Sequence, residues 1–168
     1  WAGGGNNISI VNQGTITANA AGRGFFIYAR GSGTFTNAGA VRIENGASVY
    51  TVGDYLQTAG TLFLKRGVLD PSGNATILGG TVSGTGTIRA NVTNSGTILP
   101  GGTSGIGKLQ IEGTYTQTAT GALRTEISTT TRPTWNLATD FSTQSSSSGA
   151  WSYGWQSSIR SEEHTSEL

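Results

Sequence analysis

The chain has 168 residues and a net charge of +1, and Gly, Thr, Ser and Asn supply 27, 26, 18 and 10 of them. Only 11% are charged and 35% hydrophobic, too few charges for a coiled coil and too little helix-forming bulk for a helical bundle. Thr and the β-branched aliphatics suit strands, and Gly and Asn suit the turns between them, so an all-β chain is expected.

The chain opens at Trp1 and contains neither Met nor Cys. With no charged-then-apolar leader, it reads as an internal fragment. The lack of Cys removes disulfides, thiolate catalysis and Cys-ligated metals without fixing the compartment. The longest apolar run, Phe25 to Ala29, is far below the roughly 20 residues of a membrane helix.

From residue 12 onward the chain repeats a signature: a polar or small residue, Gly, a small residue, then an aliphatic. It occurs at Asn12–Ile16, Asn37–Val41, Thr58–Leu62, Leu78–Val82, Asn94–Ile98 and Ala119–Leu123, with Gly at 14, 39, 60, 80, 96 and 121. Steps of 16 to 25 residues predict stacked coils rather than hairpins of fixed length. After each Gly the alternation is strand-like. Ile16/Ala18, Val41/Ile43, Leu62/Leu64 and Leu123/Thr125 would face one way, and Thr17, Arg42, Phe63 and Arg124 the other. Further strands are expected at Ile8–Ile10, Gly33–Phe35, Val49–Val52, Ile88–Val92 and Leu109–Ile111. The repeat glycines, and Asn beside them, are read as corners that need a left-handed backbone. Glu44 and Lys65 each lie five residues past a repeat Gly, which predicts a cross-strand ion pair between adjacent coils.

Gly102 through Lys108 imitates the first seven positions of a phosphate-binding loop, but Leu109 takes the place of the required Ser or Thr. A strand pattern follows where a helix should open, so phosphate binding is not expected. The N-x-S/T triplets at Asn7, Asn74 and Asn91 are matches that chance supplies in so Asn- and Thr-rich a chain.

Residues 94–127 carry Gly96-Thr97-Ile98, then Pro100-Gly101 with Ser104 and Gly105. Next come Leu109-Gln110-Ile111-Glu112-Gly113, Tyr115-Thr116-Gln117 and Gly121 through Ile127; the Tyr-x-Gln element has an earlier copy at Tyr55–Gln57. This order resembles the distal passenger region of bacterial autotransporters and related exported β-helix proteins. The resemblance implies a right-handed parallel β-helix displayed at, or released from, the cell surface. It covers about 35 residues closely, and residues 6–128 in style.

After Glu126 the pattern departs from that family. A Thr-rich stretch leads through Arg132-Pro133-Thr134 to a segment holding Trp135, Trp151 and Trp155. This segment resembles the opening hairpin of β-sandwich modules in exported bacterial proteins. The last nine residues, Arg160 to Leu168, include three of the nine acids and the only His. Read as codons they match the start of a common sequencing-library adapter, so they are set aside from functional reasoning. Without them the body holds nine bases against six acids, a scattered balance that gives no argument for nucleic acid.

An enzyme of the polysaccharide-cleaving β-helix kind needs clustered acids. Glu44 and Glu126 share an offset but lie four coils apart, about 19 Å at strand spacing, against roughly 5–9.5 Å for paired glycosidase carboxylates. No other acids are expected to line up on neighbouring coils.

The expected chain is an all-β, right-handed parallel β-helix (β-solenoid) over residues 1–128. A linker at 129–134, the truncated β-hairpin of a Trp-rich β-sandwich module at 135–159 and an adapter-derived tail at 160–168 would follow. The expected role is a non-catalytic exported segment of a larger bacterial surface or secreted protein, acting as rigid stalk or adhesive surface. Surface glycans, or host or neighbouring-cell surfaces, are the expected partners, with no cofactor, metal or nucleic acid. The alternative is a fragment of a polysaccharide-acting enzyme whose catalytic coils lie elsewhere. Candidate carbohydrate contacts are Phe63, Trp151, Tyr153 and Trp155, whose aromatic faces can stack on sugar rings; the competing role for the Trp residues is the core of the sandwich.

Overall fold

The strands, mostly of three to five residues, do not pair with their sequence neighbours; each pairs in parallel with a strand one coil away. The computed structural model describes residues 7–29, 33–103 and 105–126. The expected linker, Trp-rich hairpin and C-terminal tail lie outside the described residues.

One coil carries β1 (Ile10–Asn12), β2 (Thr15–Ala18) and β3 (Gly24–Tyr28), and the next β4 (Phe35–Asn37), β5 (Ala40–Glu44) and β6 (Ser48–Val52). Then come β7 (Tyr55–Gln57) with β8 (Thr61–Pro71), and β9 (Ala75–Ile77) with β10 (Thr81–Ile88). The stack continues with β11 (Val92–Asn94), β12 (Thr97–Pro100) and β13 (Leu109–Ile111), then β14 (Tyr115–Gln117) and β15 (Ala122–Leu123). A six-stranded sheet runs β1-β4-β7-β9-β11-β14, and a nine-stranded sheet runs β15-β12-β10-β8-β5-β2, with β3, β6 and β13 paired onto its second half. There is no helix among the described residues. The chain is a β-solenoid.

Register makes the core. On the nine-stranded sheet Val41, Leu62, Val82 and Ile98 are mutual neighbours from coil to coil, and all are buried. Val49, Leu69 and Ile88 form a second such column, also without exposure. Each of these side chains contributes roughly 1.5–3 kcal/mol when removed from water, and only the coil above or below can cover it. The expected alternation is observed: Val41, Ile43, Leu62 and Leu64 are buried, while Arg42 is exposed and Phe63 half-buried. Leu123, on the last paired strand, is 48% exposed because no described strand lies beyond it.

Asn does something other than turn the chain. Asn12, Asn37, Gln57 and Asn94 are buried strand residues, stacked in one column with Ile77 and Gln117. The amide of Asn12 donates to Asn37 Oδ1 at 2.8 Å and to the Ala40 carbonyl at 3.1 Å. Asn37 donates to the Thr61 carbonyl at 3.1 Å, and Asn94 to the Ala122 carbonyl at 3.2 Å. Among the described residues, Asn45 is the one Asn with left-handed φ, at 57°. Burying an amide costs free energy unless it is bonded, and among the described residues no buried side-chain polar atom lacks a partner.

The corner glycines are likewise there for a reason different from the expected one. Of the six repeat positions only Gly60 and Gly80 have positive φ, at 67° and 71°. What the five repeat glycines after Gly14 share is close approach to the preceding coil: a Cβ on Gly39 would run into the Gly14 carbonyl, one on Gly60 into Gly39, and one on Gly80 into Gly60. Those same carbonyls accept from Ala40 N at 2.8 Å, Thr61 N at 2.8 Å and Thr81 N at 2.9 Å.

Three predicted strands also differ from expectation. The predicted strand at Ile88–Val92 is a corner, since β10 ends at Ile88 and β11 begins at Val92. Strands predicted at Ile8–Ile10 and Gly33–Phe35 start instead at Ile10 and Phe35 and run to Asn12 and Asn37, because the buried amides belong to the strand.

Candidate functional site

A solenoid presents its outward residues as columns, one residue per coil at about 4.8 Å. On the face formed by β3, β6 and the second halves of β8 and β10, Phe26 is the register partner of Tyr50, and Tyr50 of Asp70. The column runs on into the following corners: Arg89 N bonds to the Leu69 carbonyl at 2.9 Å, and Glu112 N to the Ile88 carbonyl at 2.8 Å. Phe26, Tyr50, Asp70, Arg89 and Glu112 therefore follow one another along the stack.

The aromatic end is open to solvent. Phe26 is 52% and Tyr28 59% exposed. The Phe26 and Tyr50 rings stack at 4.6 Å and 18°, and Phe26 and Tyr28 lie 5.9 Å apart at 23°. At the ionic end Arg89 Nε donates to Glu112 at 3.0 Å, and its Nη1 lies 3.6 Å from Asp70. The hydrogen bond with Glu112, helped by both nearby negative charges, raises the Arg89 pKa above its ordinary value, so the guanidinium stays charged. Gln110 Nε2 donates to the other Glu112 oxygen at 3.1 Å.

Asp70 and Glu112 share a column but lie two coils apart, and Arg89, bonded to Glu112 and close to Asp70, occupies the coil between them. A correction concerns Glu44. Register places it beside Lys65 and Arg66 through a bulge, but its carboxylate pairs at 2.8 Å with Arg42 on its own strand. No ion pair joins Glu44 to Lys65, because Arg66 takes a left-handed φ of 59° at the bulge and breaks the even alternation.

Of the sequence-predicted contacts, Phe63 is outward, but the Arg42 guanidinium lies over its ring at 4.9 Å. One ring face is thus occupied. Trp151, Tyr153 and Trp155 lie outside the described residues. The apolar run from Phe25 does not by itself single out the aromatic strip, although its Phe-Phe-Ile-Tyr pattern on a strand leaves Phe26 and Tyr28 on the face opposite Ile27, which is buried.

Strand β13 follows the phosphate-loop imitation directly. Asn74 and Asn91 stack at one outer corner, Asn91 Nδ2 donating to Asn74 Oδ1 at 3.3 Å, while Asp54 and Asn91 accept from the backbone of Asn74 and Thr114 at 2.7 and 2.9 Å. No group of three or more acidic, His or Cys side chains among the described residues could hold a metal ion. No family model, curated protein or solved structure matches the chain.

Proposed function

We propose that the chain is a non-catalytic, exported β-helix segment of a larger bacterial surface or secreted protein, serving as a rigid stalk and adhesive surface. The observation that supports it most is the repetition of one set of bonds from coil to coil. Buried aliphatic columns, stacked corner glycines and an amide ladder all run along the axis. Such a stack resists bending because every coil is both floor and ceiling for its neighbours. The autotransporter-like motifs from Gly96 to Ile127 support export. The guanidinium between Asp70 and Glu112 supports a non-catalytic role, since it fills the space in which an attacking water or a scissile bond would have to lie.

The test is surface labelling of cells that carry the intact gene, with an antibody raised against this chain. Labelling of unpermeabilised cells, or recovery from spent medium, is expected. Labelling that requires permeabilisation overturns the exported reading. Release of reducing sugar from a polysaccharide by the purified chain overturns the non-catalytic one.

A further inference from the structure

One outward strip is explained neither by the core nor by the corners. Phe26 and Tyr28 are outward on β3, more than half exposed, with ring planes within 23° of parallel, so the stacked rings offer solvent an exposed apolar surface. Residue Phe25 beside them is also exposed, but it belongs to the inward column of Val49 and Leu69, and a further coil would cover it. Phe26 and Tyr28 would still face out.

Beyond Tyr50 the same column changes character to Asp70, Arg89 and Glu112, with Gln110 alongside. These are planar hydrogen-bonding groups already held in place by one another. Side chains fixed before binding lose little entropy on binding. The strip thus puts apolar ring faces and preorganised donors and acceptors in one line, at an interval of about 4.8 Å.

A ligand that fits must carry apolar faces rimmed by hydroxyls and repeat at about the coil interval. An extended chain of pyranose rings has this form: its axial C–H faces stack on aromatics, and its vicinal hydroxyls match carboxylate and guanidinium edges. Two acids against one base on the strip repel phosphodiesters, which argues against nucleic acid and anionic membranes. We propose that the Phe26–Tyr28–Tyr50 platform and the Asp70–Arg89–Glu112 row form a binding site for a neutral, β-linked polysaccharide. This rests on the adhesive reading above and supplies its ligand class.

The test is calorimetric titration of the 168-residue chain with cellohexaose and xylohexaose, beside Phe26→Thr, Tyr28→Thr and Arg89→Gln. Thr keeps strand propensity, and circular dichroism checks the fold of each variant. Binding of at least one probe is expected, weakened tenfold or more by each substitution and unchanged in Thr116→Ala, which lies outward on another sheet. If neither probe binds, the strip is not a glycan site, while surface labelling still decides the exported role. If all three variants bind like the parent, the adhesive reading stands and the site is wrong. A concentration-dependent dimer that Tyr28→Thr abolishes, with no sugar bound, assigns the strip to self-association and overturns the proposal.

Discussion

The amide of Asn37 donates to the phenol oxygen of Tyr55 on the next coil at 3.3 Å, and Tyr55 in turn donates to Gln57 Oε1 at 2.9 Å. Asn94, Tyr115 and Gln117 repeat the relay at 3.2 and 2.8 Å. The Tyr-x-Gln element is therefore one half of an inter-coil lock whose other half is an Asn at the end of the preceding coil's first strand.

Breaking the Tyr55 bond should be modest in cost at neutral pH. Asn37 still reaches Gln57 Oε1 and the Thr61 carbonyl in Tyr55→Phe, so the expected loss is about 0.5–1.5 kcal/mol. The pH dependence is more specific. Burial pushes the Tyr55 phenol above its ordinary value of 10.0, outweighing the opposing effect of the Asn37 bond. Above that pH the unfolded chain releases this proton while the folded chain keeps it, so the unfolded state binds fewer protons and stability falls as pH rises. Urea midpoints of parent and Tyr55→Phe should be separated at pH 7 and converge at about pH 11. A constant separation would sink the assignment.

The glycine series predicts a contrast. Gly60 combines φ of 67° with a Cβ position blocked by the Gly39 carbonyl, whereas Gly14 has nothing within 4 Å. Gly60→Ala should cost about 1–3 kcal/mol or more. Gly14→Ala should be neutral or stabilising by about 0.4–1 kcal/mol, because Ala restricts the unfolded chain. Thermal unfolding of the two variants decides it, and equal effects would refute the close-approach argument.

On the outer face, Arg42 and not Lys65 holds Glu44. Arg42→Ala removes both that pair and the cover over Phe63, at an expected cost of up to about 1 kcal/mol. Lys65→Ala should change stability by less than about 0.5 kcal/mol. The reverse order in chemical denaturation would restore the cross-strand pair.

The sequence by itself determined the class of fold. Six Gly-small-aliphatic signatures at steps of 16 to 25 residues demand coils, and the alternation of Val41, Arg42 and Ile43 or of Leu62, Phe63 and Leu64 divides inside from outside correctly, because both depend only on neighbours along the chain. The fate of the amides was not legible. Asn12 and Asn45 lie two positions and one position before a Gly, yet one is a buried ladder member and the other a left-handed turn residue; what separates them is whether a bonding partner waits on the next coil.

The outer columns were hidden for a related reason. Coil lengths differ, so Asp70 meets Arg89 and Arg89 meets Glu112 across unequal intervals of 19 and 23 residues, and spacing alone cannot align them. Bulges such as the one at Arg66 shift the alternation again. Local patterning is set by covalent geometry and the hydrophobic effect, but which side chains become neighbours on the surface is decided only when parallel backbone bonding locks one coil's register onto the next.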